Sequence, residues 1–129
     1  MHTLLFEFRA MGGPCSIHLR GIDDAQMAQA ARNAIAEVQR IESKFSRYLD
    51  DSVVSRINRS AGRNAVNVDD ETVQLLKFAD QLWQQSGGLF DITSGVLRQA
   101  WDFSAPALPS AQRLADALSR IGWDRVLID

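Results

Sequence analysis

Three short stretches of this 129-residue chain carry side chains whose types and spacing suit ligand chemistry. In SGGLFDITSGVLRQAWDF, from Ser86 to Phe103, a Gly-Gly pair frees a loop just ahead of Leu89, Phe90 and Asp91. The helix start that follows would present unsatisfied N–H groups, which suit an anion. Asp91 can bond the amides of Thr93 and Ser94 as a cap, or it can accept a bond from the N–H groups of a ligand. The residues alone leave both roles open. In the second stretch Tyr48 sits in a polar loop between two expected helices and can offer its ring as a flat face. Composition favours a plainer role, with Tyr48 packed on a helix end and Asp51 or Ser52 capping the next helix. In the third, Met11-Gly12-Gly13 would let backbone approach a ligand closely. Two glycines also simply make a turn, and taken alone the turn is the stronger reading.

The elements that must position these groups follow from periodicity. Leu4, Phe6 and Phe8 alternate with Thr3, Leu5, Glu7 and Arg9, and Cys15, Ile17 and Leu19 alternate with Ser16, His18 and Arg20. Both are half-buried strand patterns, joined by a turn at Met11–Pro14 into an antiparallel hairpin. His2 and His18 have no partner at ligand spacing and read as surface residues. Asp23 or Asp24 caps a helix to about Phe45, with Met27, Ala31, Ile35, Val38, Ile41 and Phe45 as its apolar stripe. A short helix is expected around Asp51–Arg59. A longer one starts near Asp69 or Asp70, with Leu75, Leu76, Ala79, Leu82 and Trp83 inward, and ends at Gly87 or Gly88. Thr93 or Ser94 caps the next helix, which carries Val96, Leu97 and Trp101, and Ala105–Pro109 reads as a linker. Ser110 caps a last helix with Leu114, Leu118 and Ile121, stopped by Gly122. Val126-Leu127-Ile128 reads as a further strand, an element cut short whose edge would seek a partner. No βαβ repeat or GxGxxG turn appears, so the expected fold class is α+β, residues 1–129 forming one domain.

The bulk properties narrow the function. With 46% hydrophobic and 23% charged residues the composition is that of a soluble globular protein. A net charge of -2 supplies no basic field for phosphates, which argues against nucleic acid as a partner. Cys15 is the single cysteine, so no intramolecular disulfide forms and a thiolate metal site is implausible. It reads as a small buried hydrophobe. No apolar run approaches the roughly 20 residues of a membrane span. The start MHTLLFEFRAMGG lacks the basic and apolar regions of an export signal, so a cytoplasmic location is expected.

Taken together and in order, the three stretches resemble the N-terminal part of the FAD:protein FMN transferase (ApbE) family. That family has a Met-Gly-Thr hairpin, then Ser-x-Tyr with Ser-x-x-Asn, then Ser-Gly-Gly/Ala-x-Phe-Asp-x-Thr. Here these stand as Met11-Gly12-Gly13, Ser46-Arg47-Tyr48 with Ser55-Arg56-Ile57-Asn58, and Ser86-Gly87-Gly88-Leu89-Phe90-Asp91-Ile92-Thr93. The resemblance implies an α+β fold of which this chain is the first part. It also implies FAD as substrate, and an acceptor protein whose Thr or Ser hydroxyl attacks the FMN phosphorus, expelling AMP with magnesium as the assisting cation. Met11 would lie against the flavin, Tyr48 would stack on it, and Leu89, Phe90 and Asp91 would line the FAD site. Two departures stand out. Gly13 replaces the family's threonine, and its Gly-Gly…Lys-Gly segment and magnesium ligands have no counterpart before Asp129, so metal ligands are expected beyond this chain. Asp50, Asp51, Asp69, Asp70 and Asp91 each have a capping explanation, and no catalytic residue can be named. Many family members are exported and membrane-anchored. The runner-up reading is a non-catalytic flavin-binding or vestigial module.

Overall fold

The apolar alternation at the start of the chain becomes a two-stranded antiparallel sheet in the computed structural model, which describes residues 1–104 and 107–129. Strand β1 spans His2–Ala10 and β2 spans Gly13–Gly21. Their register sets Leu4 opposite Leu19, Phe6 opposite Ile17 and Phe8 opposite Cys15. All six expected inward residues therefore share one half-buried face, the cross-strand pairing that stabilises sheets. The turn is tighter than the sequence suggested. Ala10 pairs with Gly13, which leaves Met11 and Gly12 as a two-residue loop, and both have positive φ (52° and 81°). That is the dihedral signature of a type I′ hairpin, whose twist matches that of the strands.

Helix α1, Asp24–Phe45, packs on both strands. Asp23 caps it by accepting the Gln26 amide, as expected, and Met27 and Ala31 are its buried residues. Met27 lies so close to Gly21 that a β-carbon there would come within 3.0 Å of its sulfur. Helix α2, Val53–Ser60, packs against α1 and is capped by Ser52, the second of the two expected candidates. These elements make a first compact unit, Met1–Asn67.

The second unit, Val68–Asp129, is built on helix α3, Asp70–Gln85. Asp69 caps it, accepting both the amide and the hydroxyl of Thr72, so that this threonine is buried yet satisfied. Of the expected inward stripe, Leu76, Ala79, Leu82 and Trp83 are buried or half-buried, and Leu75 alone departs from it. Thr72 and Ala79 are buried, whereas Leu75 is 46% exposed. The helix ends in a Schellman motif: the Gly88 amide donates to Trp83 O and the Gly87 amide to Gln84 O, with φ of 84° and 62° at the two glycines.

The segment Ile92–Gln99 is a 3₁₀ helix capped by Asp91, not by Thr93 or Ser94. Gly95 and the β-branched Ile92, Thr93 and Val96 weaken its α-propensity, and Thr93 is tied elsewhere in the unit. Helix α4, Ala111–Leu118, has the expected Ser110 cap but stops one turn short of Ile121, and it packs on the 3₁₀ helix. A short 3₁₀ turn follows at Trp123–Arg125. Val126 is extended but joins no strand ladder, so the expected strand at Val126-Leu127-Ile128 is absent among the described residues. A strand exists only through a partner, and none is paired here. The linker expected at Ala105–Pro109 lies partly outside the described residues.

Candidate functional site

In the first unit, two candidate residues are fixed by the last turns of α1. The Met11 amide donates to Glu42 Oε1 at 2.5 Å, which holds the hairpin tip on the helix. The Met11 side chain is 64% exposed all the same. A non-glycine residue in the left-handed region is disfavoured by contacts of its β-carbon, and such positions persist only where surrounding structure imposes them. Here the imposing contacts are the hairpin register and Glu42.

Four residues beyond Glu42, Ser46 ends the helix, its amide donating to Glu42 O at 2.8 Å. The Ser46 hydroxyl accepts the Tyr48 amide at 3.1 Å, and its carbonyl accepts the Ser52 hydroxyl. Ser52 in turn accepts the Ser55 amide as the cap of α2. This chain of hydrogen bonds fixes the backbone on both sides of Tyr48, while its ring is 72% exposed. Tyr48 is therefore not packed on the helix end. The Arg47 guanidinium lies 5.0 Å from the ring centroid and donates to the phenol oxygen at 2.9 Å. A rigidly held, exposed ring can stack on a planar ligand at small entropic cost.

In the second unit, Leu89, Phe90 and Asp91 follow directly on the Schellman glycines. The Ser86 hydroxyl accepts the Phe90 amide at 2.8 Å, so the turn is closed by its own first residue. Leu89 is 92% exposed and Phe90 44%. Asp91 differs. Its Oδ1 accepts the Thr93 amide at 2.8 Å and the Thr93 hydroxyl at 2.6 Å, and its Oδ2 accepts the Trp123 amide at 3.1 Å. Desolvation pushes this carboxyl's pKa up. The hydrogen bonds from Thr93 and Trp123, together with the charge of Arg125, outweigh it and hold the pKa below the ordinary aspartate value. An ionised carboxylate has about four lone-pair positions, so three donors leave Asp91 room for one more.

Glu42 and Trp123 shape these turns although the sequence did not single them out. Glu42 looks like any half-exposed helix residue, and nothing in its spacing marks it. Trp123 is 5% exposed, and its place directly after Gly122 was the one signal the sequence offered. Thr93, read as a cap, as an amide partner of Asp91 and as the end of the third motif, does hold Asp91. Nothing in the sequence signalled a hydrogen bond remote from these turns, between the His2 ring and Asp24 at 2.6 Å.

The chain as a whole has known relatives. The ApbE family pattern matches residues 11–129. The chain is 25% identical over 121 residues to the FAD:protein FMN transferase of Haemophilus influenzae, covering 87% of this chain and 35% of that protein. It is 30% identical over 104 residues to the FAD:protein FMN transferase of Treponema pallidum, covering 79% and 29%. Among solved structures, the ApbE protein of Thermotoga maritima matches with a TM-score of 0.82 at 29% identity, over 99% of this chain and 42% of that one. The flavin transferase ApbE of Vibrio cholerae shares the fold, with a TM-score of 0.78 at 22% identity. The chain spans about a third of the length of the curated relatives it matches.

Proposed function

This chain belongs to the ApbE family, and from that membership we propose that it takes part in FAD:protein FMN transfer, its exposed turns contributing to the FAD site. The observation that carries this reading is the outward display of Met11, Tyr48, Leu89 and Phe90. Each is apolar or aromatic, each stands on hydrogen-bonded backbone, and each falls in one of the three family-like motifs. Burial is what such side chains ordinarily gain from folding. Their exposure on fixed turns, in each unit by itself, fits contact with a large, flat, partly apolar ligand.

In this reading Tyr48 stacks on the isoalloxazine ring, and Met11, Leu89 and Phe90 contact the flavin and its neighbouring groups. Asp91 accepts a ligand N–H at its remaining position. The transfer itself is attack by a Thr or Ser hydroxyl of the acceptor protein on the FMN phosphorus. A new P–O bond forms as the pyrophosphate bond breaks and AMP leaves, a reaction governed by positioning and charge. Magnesium, which the family resemblance implies, finds no fitting site among the described residues. Among the described residues no group of three or more His, Cys, Asp or Glu side chains could hold a metal ion. No step is therefore assigned to it here. The second reading is a flavin-binding module that does no chemistry by itself.

One experiment separates the two. The 129-residue protein is titrated with FAD by flavin fluorescence, then incubated with FAD, magnesium and a threonine-bearing acceptor domain, and covalent FMN is sought by in-gel fluorescence. Saturable binding with no fluorescent acceptor band supports the module. Binding with a band that EDTA abolishes supports catalysis by these residues alone, and absence of binding removes the flavin role.

A further inference from the structure

The clasp around Asp91 reaches further than the turn it caps. We infer that Trp123 is a positioning residue for the Leu89–Phe90–Asp91 turn, acting through Asp91. This inference rests on the flavin reading above for its functional consequence, though not for its geometry.

Trp123 is held at two points. Its indole Nε1–H donates to Asp80 Oδ1 on α3 at 2.8 Å, and its main-chain N–H donates to Asp91 Oδ2 at 3.1 Å. Its neighbour Gly122 donates its amide to Thr93 Oγ1 at 2.9 Å, and the Thr93 hydroxyl itself donates to Asp91 Oδ1. The contacts span 43, 32 and 29 residues, so they join three separated parts of the unit: α3, the start of the 3₁₀ helix, and the corner after α4. Asp80 is itself oriented, its Oδ2 accepting the Gln84 amide nitrogen at 2.6 Å. With Trp123 nearly fully buried, the indole can leave this arrangement only by exposing its ring.

The consequence is mechanical. On the N-terminal side the turn is held locally, the Gly87 and Gly88 amides bonding Gln84 O and Trp83 O and the Phe90 amide bonding the Ser86 hydroxyl. On the C-terminal side restraint comes from the Asp91 carboxylate, and Trp123 fixes which way Oδ2 faces. Loosening Trp123 would free the carboxylate to rotate and the turn to sample other shapes, at the expense of the ligand-contacting conformation.

The test compares Trp123→Phe, Asp80→Ala, the double variant and Asp80→Asn with the parent chain, by FAD titration and by amide hydrogen exchange. Trp123→Phe keeps an apolar ring but deletes the indole donor. It should weaken FAD binding about three- to tenfold and speed exchange of the Phe90 and Thr93 amides by a similar factor, as loss of one hydrogen bond to a charged group allows. Exchange at Leu76 and Ala79, inside α3, should not change. Asp80→Ala should reproduce the loss, and the double variant should be no worse than either single, the mark of one shared interaction. Asp80→Asn keeps an acceptor for the indole and should retain parental affinity, with exposed Gln84 turning its amide to suit. If Trp123→Phe and Asp80→Ala both leave exchange at Phe90 and Thr93 unchanged, the positioning role is wrong. If exchange rises but FAD affinity does not fall, Trp123 does not act on ligand binding and that part is overturned. If the parent fails to bind FAD while exchange responds as expected, the clasp stands and the flavin reading falls.

Discussion

Met11 illustrates at the residue scale how a site can be maintained against local preference. Asparagine tolerates the left-handed conformation far better than methionine, and Asn-Gly is a preferred type I′ pair. Met11→Asn should therefore stabilise the hairpin unit by roughly 0.5–1 kcal/mol, raising its melting temperature by several degrees. The same change removes the proposed flavin contact and should lower FAD affinity. Thermal melts and FAD titrations read the two effects separately, and an affinity equal to that of the parent would remove Met11 from the site. Tyr48 makes the complementary case. Aromatic stacking is worth about 1 kcal/mol beyond burial, so Tyr48→Ala should bind FAD several-fold more weakly and Tyr48→Phe nearly as well as the parent. Identical affinity in the alanine variant would show that the exposed ring serves another purpose.

At the scale of elements, the helix caps decide where loops begin, and two of them do more than cap. Ser52 is buried and bonds both the Ser55 amide and the Ser46 carbonyl, so it joins the end of α1 to the start of α2 across the Tyr48 loop. Ser52→Ala should cost about 2 kcal/mol, at the upper end for a cap because the Ser46 carbonyl also loses its partner. Chemical denaturation would measure it, and a cost below about 0.5 kcal/mol would mean that water replaces both bonds. Asp91 is the corresponding residue of the second unit, where a cap also holds a distant main-chain amide. In each unit a residue proposed to meet the ligand lies on the loop that such a double-duty side chain closes, Tyr48 ahead of Ser52 and Phe90 ahead of Asp91.

The chain as a whole has an acid sensitivity that follows from Asp91. Its carboxyl has a folded pKa below the unfolded value, so the unfolded state binds more protons in the interval between them. The stabilisation is complete above the unfolded pKa of about 4 and is lost as pH falls through the folded value. Urea melts of the parent should show unit Val68–Asp129 weakening below about pH 4, and Asp91→Asn should flatten that dependence while lowering stability at neutral pH. An Asp91→Asn variant with the parent's acid profile would assign the effect to other carboxylates. The contacts proposed for FAD are apolar, aromatic and hydrogen-bonding, with no metal among them. FAD affinity of this chain should therefore be equal in magnesium and in EDTA, and a clear gain with magnesium would point to a cation site that these residues do form. Among the described residues no helix is long and apolar enough to cross a membrane.

Much of this architecture is local, and local physics is what a sequence displays. Alternation from Leu4 to Phe8 and from Cys15 to Leu19 determined the hairpin and its inward face, because side chains of a strand change sides at every residue. The pairs Asp23-Asp24 and Asp69-Asp70, and Ser110, announced their helices, since a cap bonds amides only two or three positions away, and the structure picked the first of each pair. The order of the three motifs was sufficient to indicate the family. Tertiary structure decided what depends on residues distant in sequence. It closed the hairpin at Met11-Gly12, because register is a property of two strands, and it turned Leu75 outward while burying Thr72. It left Val126-Leu127-Ile128 without a ladder, since strand propensity needs a partner to become a strand. Above all it completed the surroundings of Asp91, of which the sequence indicated only the local cap. The carboxylate caps Thr93 as its neighbours allow, but the amide of Trp123 reaches it from 32 residues away. No spacing rule encodes such a bond, which exists only once α3, the 3₁₀ helix and the corner at Gly122 have packed.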